Sequence, residues 1–146
     1  MIKSFKVRLK PNNKQKTKLF QYAGCARYAY NWALTREKEN DDLGFGFIRN
    51  EELRREFTQI KKKPDMQWIS SISNNVAKQA IKDACENYRR FLKGEIGRPK
   101  FKSRKNSTPS FFQDSCKIKF TKTHVRVEKF ADSRKKNRQG ISWIRL

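Results

Sequence analysis

The feature that most constrains this chain is where its charges lie. No acidic residue precedes Glu37, seven of the fourteen lie between Glu37 and Glu56, and only Asp114, Glu128 and Asp132 follow Ile96, against fifteen Lys and Arg in that last stretch. Both ends are strongly basic and the middle is closer to balance, which divides the chain into two kinds of segment. In all, 36 Lys and Arg face 14 Asp and Glu, a formal net charge of +22. Self-repulsion of that size opposes the compact state. A polyanion relieves it, and each neutralised phosphate releases a counterion. Nucleic acid is the partner this footprint implies. A membrane surface fits poorly, because no segment sets a wide apolar face against a basic one with few acids, and no run reaches spanning length. Residues Met1 to Lys6 lack the apolar core of a signal peptide. A cytoplasmic protein is the expectation.

A chain of 146 residues is about one domain long, or one domain with a small insertion. Eleven Phe, four Tyr and three Trp are too many for a disordered basic tail. Cys25, Cys85 and Cys116 are odd in number and widely spaced, which suggests isolated reduced thiols rather than a disulfide framework or a zinc knuckle.

The chain opens on an alternation. Phe5, Val7 and Leu9 fall on one face and Ser4, Lys6, Arg8 and Lys10 on the other, the pattern of a half-buried strand ended by Pro11. Asn12 or Asn13 would cap a long helix reaching about Asp42, with Leu19, Ala23, Ala26, Tyr30, Ala33 and Leu34 as its buried stripe. Gly24 interrupts that pattern. After a turn at Leu43 to Phe47, Asn50 would cap a second helix packed through Leu53, Phe57 and Ile60 and closed by Lys61-Lys62-Lys63-Pro64. A third helix is expected from Ser73 to Lys93, with Gly94 as its C-cap and Ala77, Ala80, Ile81, Ala84, Tyr88, Phe91 and Leu92 inward.

Beyond Gly97 the character changes. Phe111-Phe112, Ile118 and Phe120, and Val125 and Val127 read as short strands, the last two joined by a turn at Thr121 to His124. A charged loop over Asp132 to Gln139 and a strand from Ile141 to Leu146 complete the chain. The economical fold is α+β: a small β-barrel or curled sheet (residues 1–10 and 95–146) interrupted by a helical insert of about three helices (residues 11–94).

Catalysis does poorly against this sequence. The single histidine, His124, falls in the expected hairpin turn with no thiol or carboxylate at a telling spacing. The carboxylates match helix ends and i,i+4 pairs, whereas a metal-dependent nuclease needs several converging on cations. No phosphate-binding glycine motif is present. No catalytic residue, metal site or cofactor is expected. Binding features are stronger. Arg98, Lys100, Lys102, Arg104 and Lys105 lie on an extended segment stiffened by Pro99, with Phe101 among them to stack on a base or anchor the loop. Lys3, Lys6, Arg8, Lys10, Lys117 and Lys119 add strand cations for a nucleic-acid backbone. At the start of the third helix Asn74, Asn75, Lys78, Gln79 and Lys82 form a polar face, where amides and cations can read base edges or serve as ordinary surface.

The order of motifs resembles the transposon-encoded TnpB (OrfB) family, relatives of the type V CRISPR effectors. Phe5-Lys6-Val7-Arg8-Leu9-Lys10-Pro11 is similar to the start of that family, as are residues 24–34, residues 78–84 and Tyr88 to Leu92. Residues 98–103, Ser110-Phe111 and residues 141–146 continue the series over essentially the whole chain. The resemblance implies a wedge-type barrel with a helical recognition insert, a region often described as helix-turn-helix. It further implies that such a region holds a structured guide RNA and a short motif on double-stranded DNA. The helix carrying Asn74, Asn75, Lys78 and Gln79 would face the duplex, while Arg98 to Lys105 and the strand cations would hold guide and heteroduplex backbone. The family's RuvC-type nuclease would follow, and no counterpart of it is found here. The expectation is a truncated TnpB-like binder that does not cleave, with a separate nuclease-bearing chain as a further candidate partner. Two alternatives stand beside it: a stand-alone DNA-binding regulator of a mobile element using the helical unit, and an inactive remnant of a decayed nuclease gene.

Overall fold

The computed structural model describes residues 1–130 and 143–146. The longest element, α1 (Asn13–Asp42), starts where a full capping box forms: the Asn12 side chain accepts from the Gln15 backbone N–H, and the Gln15 side chain accepts from the Asn12 backbone N–H. It runs unbroken through Gly24. Helix α2 (Asn50–Ile60) follows, with Glu51 and Glu52 at its positive end; Arg49 holds the cap position and Asn50 is the first helical residue. Pro64 then opens a 3-10 turn that leads into a single-turn helix, α3 (Gln67–Ser70). Helix α4 (Asn74–Leu92) is capped at its end by Gly94 at φ +76°, a conformation glycine adopts without steric cost. The helical part thus has the three expected long helices and one extra turn. Leu92, expected inward, stands exposed.

The sheet is smaller than a barrel. Three antiparallel strands, β1 (Ile118–Phe120), β2 (His124–Val127) and β3 (Trp143–Arg145), lie in that order, with Val125 opposite both Phe120 and Ile144. This corrects the barrel: the described strands form an open sheet, because three strands of three or four residues cannot curl far enough to close. Residues 1–9 form no strand, and Phe111-Phe112 form none either. The opening segment touches the sheet at one point, where the Lys10 N–H donates to the Arg145 carbonyl at 2.7 Å. Its alternating apolar face is unpacked, with Phe5 83% and Val7 55% exposed; only Leu9 packs on the core. The expected charged loop at Asp132 to Gln139, and the Ile141-Ser142 start of the last strand, lie outside the described residues.

Helix α1 is buried on more than the expected stripe. Besides Ala23, Tyr30, Ala33 and Leu34 it buries Tyr22, Cys25 and Ala29. One side packs along α4 through small residues, Ala29 and Ala33 against a helix carrying Ala77, Ala80 and Ala84. Near its start Tyr22 meets the rings of Phe111 and Phe130 edge-on, and its hydroxyl donates to the Glu128 carbonyl. Val125, Val127 and Ile144 complete the same core from the sheet.

A buried carboxyl also sits in this core. Glu37 is wholly enclosed; one oxygen accepts from the Ile48 N–H at 3.1 Å and the other lies 3.7 Å from the Cys85 sulfur. Burial pushes its pKa from 4.5 up to about 7, the Ile48 hydrogen bond opposing, while burial and the neighbouring Glu37 push the Cys85 thiol up to about 12. Between those two carboxyl pKa values the folded chain holds a proton that the unfolded chain has released. Stability contributed at this site is therefore greatest below pH 4.5 and falls as pH rises toward about 7, by a few kcal/mol at most. Glu37→Gln, which keeps the acceptor, should flatten that slope: in urea unfolding it should gain on the parent chain from pH 5 to 8. Parallel curves for the two proteins would contradict a neutral buried Glu37.

Candidate nucleic-acid interface

The ion pairs among the described residues leave most cations free. They tie Arg36 to Glu39 and Glu56, Arg89 to Glu86, Arg90 to Glu95 and Lys117 to Glu128. None engages Lys3, Lys6, Arg8, Lys10, Arg98, Lys100, Lys102, Arg104, Lys105 or Lys119, whose charges face solvent. Removing that much unbalanced charge from water would be costly, so these side chains stay exposed and available to phosphate.

The segment at 98–107 is not a loose basic loop. The Asn31 side chain, on α1, makes two 2.8 Å hydrogen bonds to the backbone of Lys102, accepting from its N–H and donating to its carbonyl. Asn106 tightens the segment from within, accepting from the Ser103 N–H and donating to the Phe101 carbonyl. The Lys102 ammonium stands 4.2 Å above the Tyr30 ring and the Arg98 guanidinium 5.2 Å from the Phe91 ring. Phe101 stays half exposed. Lys100, Arg104 and Lys105 extend from this pinned segment into solvent.

The polar face of α4 divides between two grooves. Asn74 and Lys78 line a groove of about 420 Å³ against α2, where Arg54, Arg55 and Lys61 join them; the Lys61 ammonium donates to Asn74 Oδ1 at 3.1 Å. Gln79 lies on the other side, in a groove of about 260 Å³ shared with Arg27 and Lys102, and its amide donates to Asp83 at 2.9 Å. At 100° per residue Asn75 and Lys82 sit between the two grooves. Sequence-expected readers and backbone cations thus meet at Gln79 and Lys102, whereas Asn74 and Lys78 form a separate cluster.

On the sheet, Lys117 and Lys119 gather with Arg126 and Lys129 around a shallow site of about 280 Å³. Lys117 is partly spent there, 3.6 Å from Glu128, whose other oxygen accepts from the Ser73 hydroxyl. Lys3, Lys6 and Arg8 lie on the opening segment and line none of these grooves. His124 is the first residue of β2, not a turn residue, and its Nδ1 shares a 2.8 Å hydrogen bond with the Thr123 hydroxyl. Among the described residues no three His, Cys, Asp or Glu side chains are grouped to hold a metal ion. No described helix is long and apolar enough to cross a membrane.

Sequence reasoning missed Arg27, Arg54, Arg55, Arg126 and Lys129 as members of these clusters. It also missed a fourth groove, of about 860 Å³, along the outer face of α1. There Phe20 is 63% exposed and Trp68, on α3, is 42% exposed. A large aromatic off the buried stripe of a helix was the available signal.

Comparison with known proteins follows the same lines. Residues 1–40 match an OrfB-type family described as a helix-turn-helix domain. In this structure those residues hold the extended opening segment and most of the single helix α1. The RNA-guided DNA endonuclease InsQ of Escherichia coli K12 is 22% identical over 143 residues, covering 98% of this chain. An RNA-guided DNA endonuclease of Streptomyces pristinaespiralis is 27% identical over 111 residues, covering 74% of it. The alignments take in 36% and 27% of those two proteins, so the chain spans about a third or less of the curated relatives it matches. The first 40 residues are thus similar to an OrfB-type helix-turn-helix domain, and nearly the whole chain is similar to part of an RNA-guided DNA endonuclease.

Proposed function

We propose that this chain is a nucleic-acid-binding TnpB-type module that holds a structured guide RNA and target duplex DNA and does not itself cleave them. The observation that carries this reading is the set of unpaired cations fixed around the pinned 98–107 segment and the α2–α4 groove. A disordered basic tail attracts phosphate equally from every direction. Here Asn31, Tyr30 and Phe91 hold the cations in set places, which suits the fixed geometry of a folded RNA. The names of the relatives, RNA-guided DNA endonucleases, support both partners. The non-cleaving part rests on the acids: among the described residues Glu39, Glu56, Glu86, Glu95 and Glu128 are taken up in ion pairs, Glu37 is buried in the core, and no three converge as hydrolytic metal ligands do.

In this reading Asn74, Asn75, Lys78, Gln79 and Lys82 read duplex edges, and Lys100, Arg104 and Lys105 follow the RNA backbone. The test compares structured RNA copied from a transposon end with duplex DNA of equal charge at one salt concentration. The RNA should bind more tightly, and equal affinity for any duplex would refute the guide-RNA assignment. Lys100→Ala should weaken binding to all sequences alike, while Gln79→Ala should act on one preferred duplex motif, by about tenfold. Lys100 is the cleaner probe than Lys102, because removing Lys102 also strips the cover from Tyr30.

A further inference from the structure

We infer that the outer groove of α1 is a stacking site for unpaired bases of a single-stranded nucleic acid, an inference that rests on the nucleic-acid reading above and adds a site to it. Thr17, Phe20, Gly24, Arg27 and Asn31 form one stripe along α1, roughly 21 Å long at the helical rise. Phe20 presents its ring near one end. Across the groove Trp68 stands edge-on to Tyr28, with ring centres 6.2 Å apart, and keeps much of its indole in solvent. Arg104 also lines the groove, on the segment that Asn31 clamps at Lys102.

Three observations select the occupant. First, of the four grooves described, this one alone has no carboxylate in its lining; the others contain Glu51, Asp83 and Glu128 respectively. Its charged lining side chains are Arg27 and Arg104, and neither pairs with an acid among the described residues. That favours an anion. Second, its exposed apolar surface is flat and aromatic, which suits a base's π-face better than an aliphatic side chain. Third, Gly24 sits mid-helix, where glycine is unfavourable relative to alanine. A Cβ at that position would meet nothing closer than the end of the Arg27 side chain, at 3.9 Å. Packing within the chain therefore does not require glycine. Gly24 instead leaves the groove open along the helix backbone, where a ligand can approach closely.

Asn31 has its amide committed to Lys102, so recognition here comes from stacking and charge, with little choice of base. Duplexed bases cannot offer their faces to Phe20 and Trp68. The occupant is an unpaired stretch, of RNA or of DNA.

The test uses the full chain with oligouridylate, oligothymidylate and a duplex of equal charge. Binding of either oligonucleotide should quench Trp68 fluorescence, and Trp68→Phe should remove that quenching. Phe20→Ala should weaken the oligonucleotides about tenfold, the worth of one stacked base, and leave the duplex within about twofold. Gly24→Leu separates the site from the fold: it should raise the melting temperature through helix propensity while weakening the oligonucleotides by a similar factor. Unchanged oligonucleotide affinity in both variants would overturn the groove assignment while leaving the wider reading intact. Equal losses for oligonucleotide and duplex would overturn the single-strand assignment. Failure of the parent chain to bind any of the three would instead defeat the nucleic-acid reading itself.

Discussion

Tyr22→Ala should destabilise the chain by about 4 kcal/mol, the loss expected for truncating a fully buried aromatic. Tyr22 is fully buried where α1 meets the segment that follows β2, with the Phe111 ring centre 5.2 Å away and that of Phe130 5.1 Å away. Truncation removes both edge-on contacts and leaves a cavity that a helix and a sheet cannot easily close. It also orphans the Glu128 carbonyl, which the hydroxyl now satisfies. Burial raises the hydroxyl's pKa well above the usual range, so it stays a donor at any physiological pH. In a domain of this size the loss corresponds to a melting temperature roughly 8–16 °C lower. Tyr22→Phe isolates the hydrogen bond and should cost about 1–2 kcal/mol. Equilibrium urea unfolding of the three proteins measures both steps. A loss below about 1 kcal/mol for Tyr22→Ala would mean that Phe111 and Phe130 are not docked on α1 through this residue.

The helices were legible because their signals are local. The Asn12 cap, the alanine and aromatic spacing of α1 and α4, and Gly94 all act within a few residues of where they stand, and each appears in the structure. What failed was pairing over distance. Phe5, Val7 and Leu9 alternate like a strand, yet a strand needs a neighbour, and among the described residues the segment pairs only through the Lys10–Arg145 bridge. Phe111 alone of its pair found a use, as a ring against Tyr22 rather than as a strand residue. The barrel expectation depended on both and fell with them.

Tyr22, Cys25 and Ala29 escaped the single-stripe reading because α1 packs against α4 on one side and, at Tyr22, meets Phe111, Glu128 and Phe130 on another. A helical stripe read from sequence finds one buried face and gives no sign of a second. Glu37 was missed for a similar reason: its burial comes from Ile48 and Cys85, eleven and forty-eight residues away. For the interface, the basic segment at 98–105 was visible as composition, but the Asn31 clamp that fixes it lies on α1, seventy-one residues from Lys102. The grooves that join Arg27 to Gln79 and Arg54 to Lys78 are products of packing and have no sequence signature.

The second large effect is on affinity, and it comes from salt. If the unpaired cations on the 98–107 segment, the α2–α4 groove and the sheet engage about six to ten phosphates, affinity should fall by about 10³–10⁵ between about 50 and 200 mM monovalent salt. The effect exceeds any single substitution because every contact releases counterions together. Lys100→Ala should lower the magnitude of the slope by about one, since one phosphate contact is lost. Helical content should stay constant over the same range, because the surface ion pairs of Arg89 and Arg90 contribute little to stability. The central claim is that this chain is built to hold a polyphosphate, and the most direct measurement is the affinity for structured RNA across that salt range. A plot of log affinity against log salt with a slope near −5 to −9, made shallower by Lys100→Ala, is the predicted result. A slope near zero, or one that Lys100→Ala leaves unchanged, would contradict it.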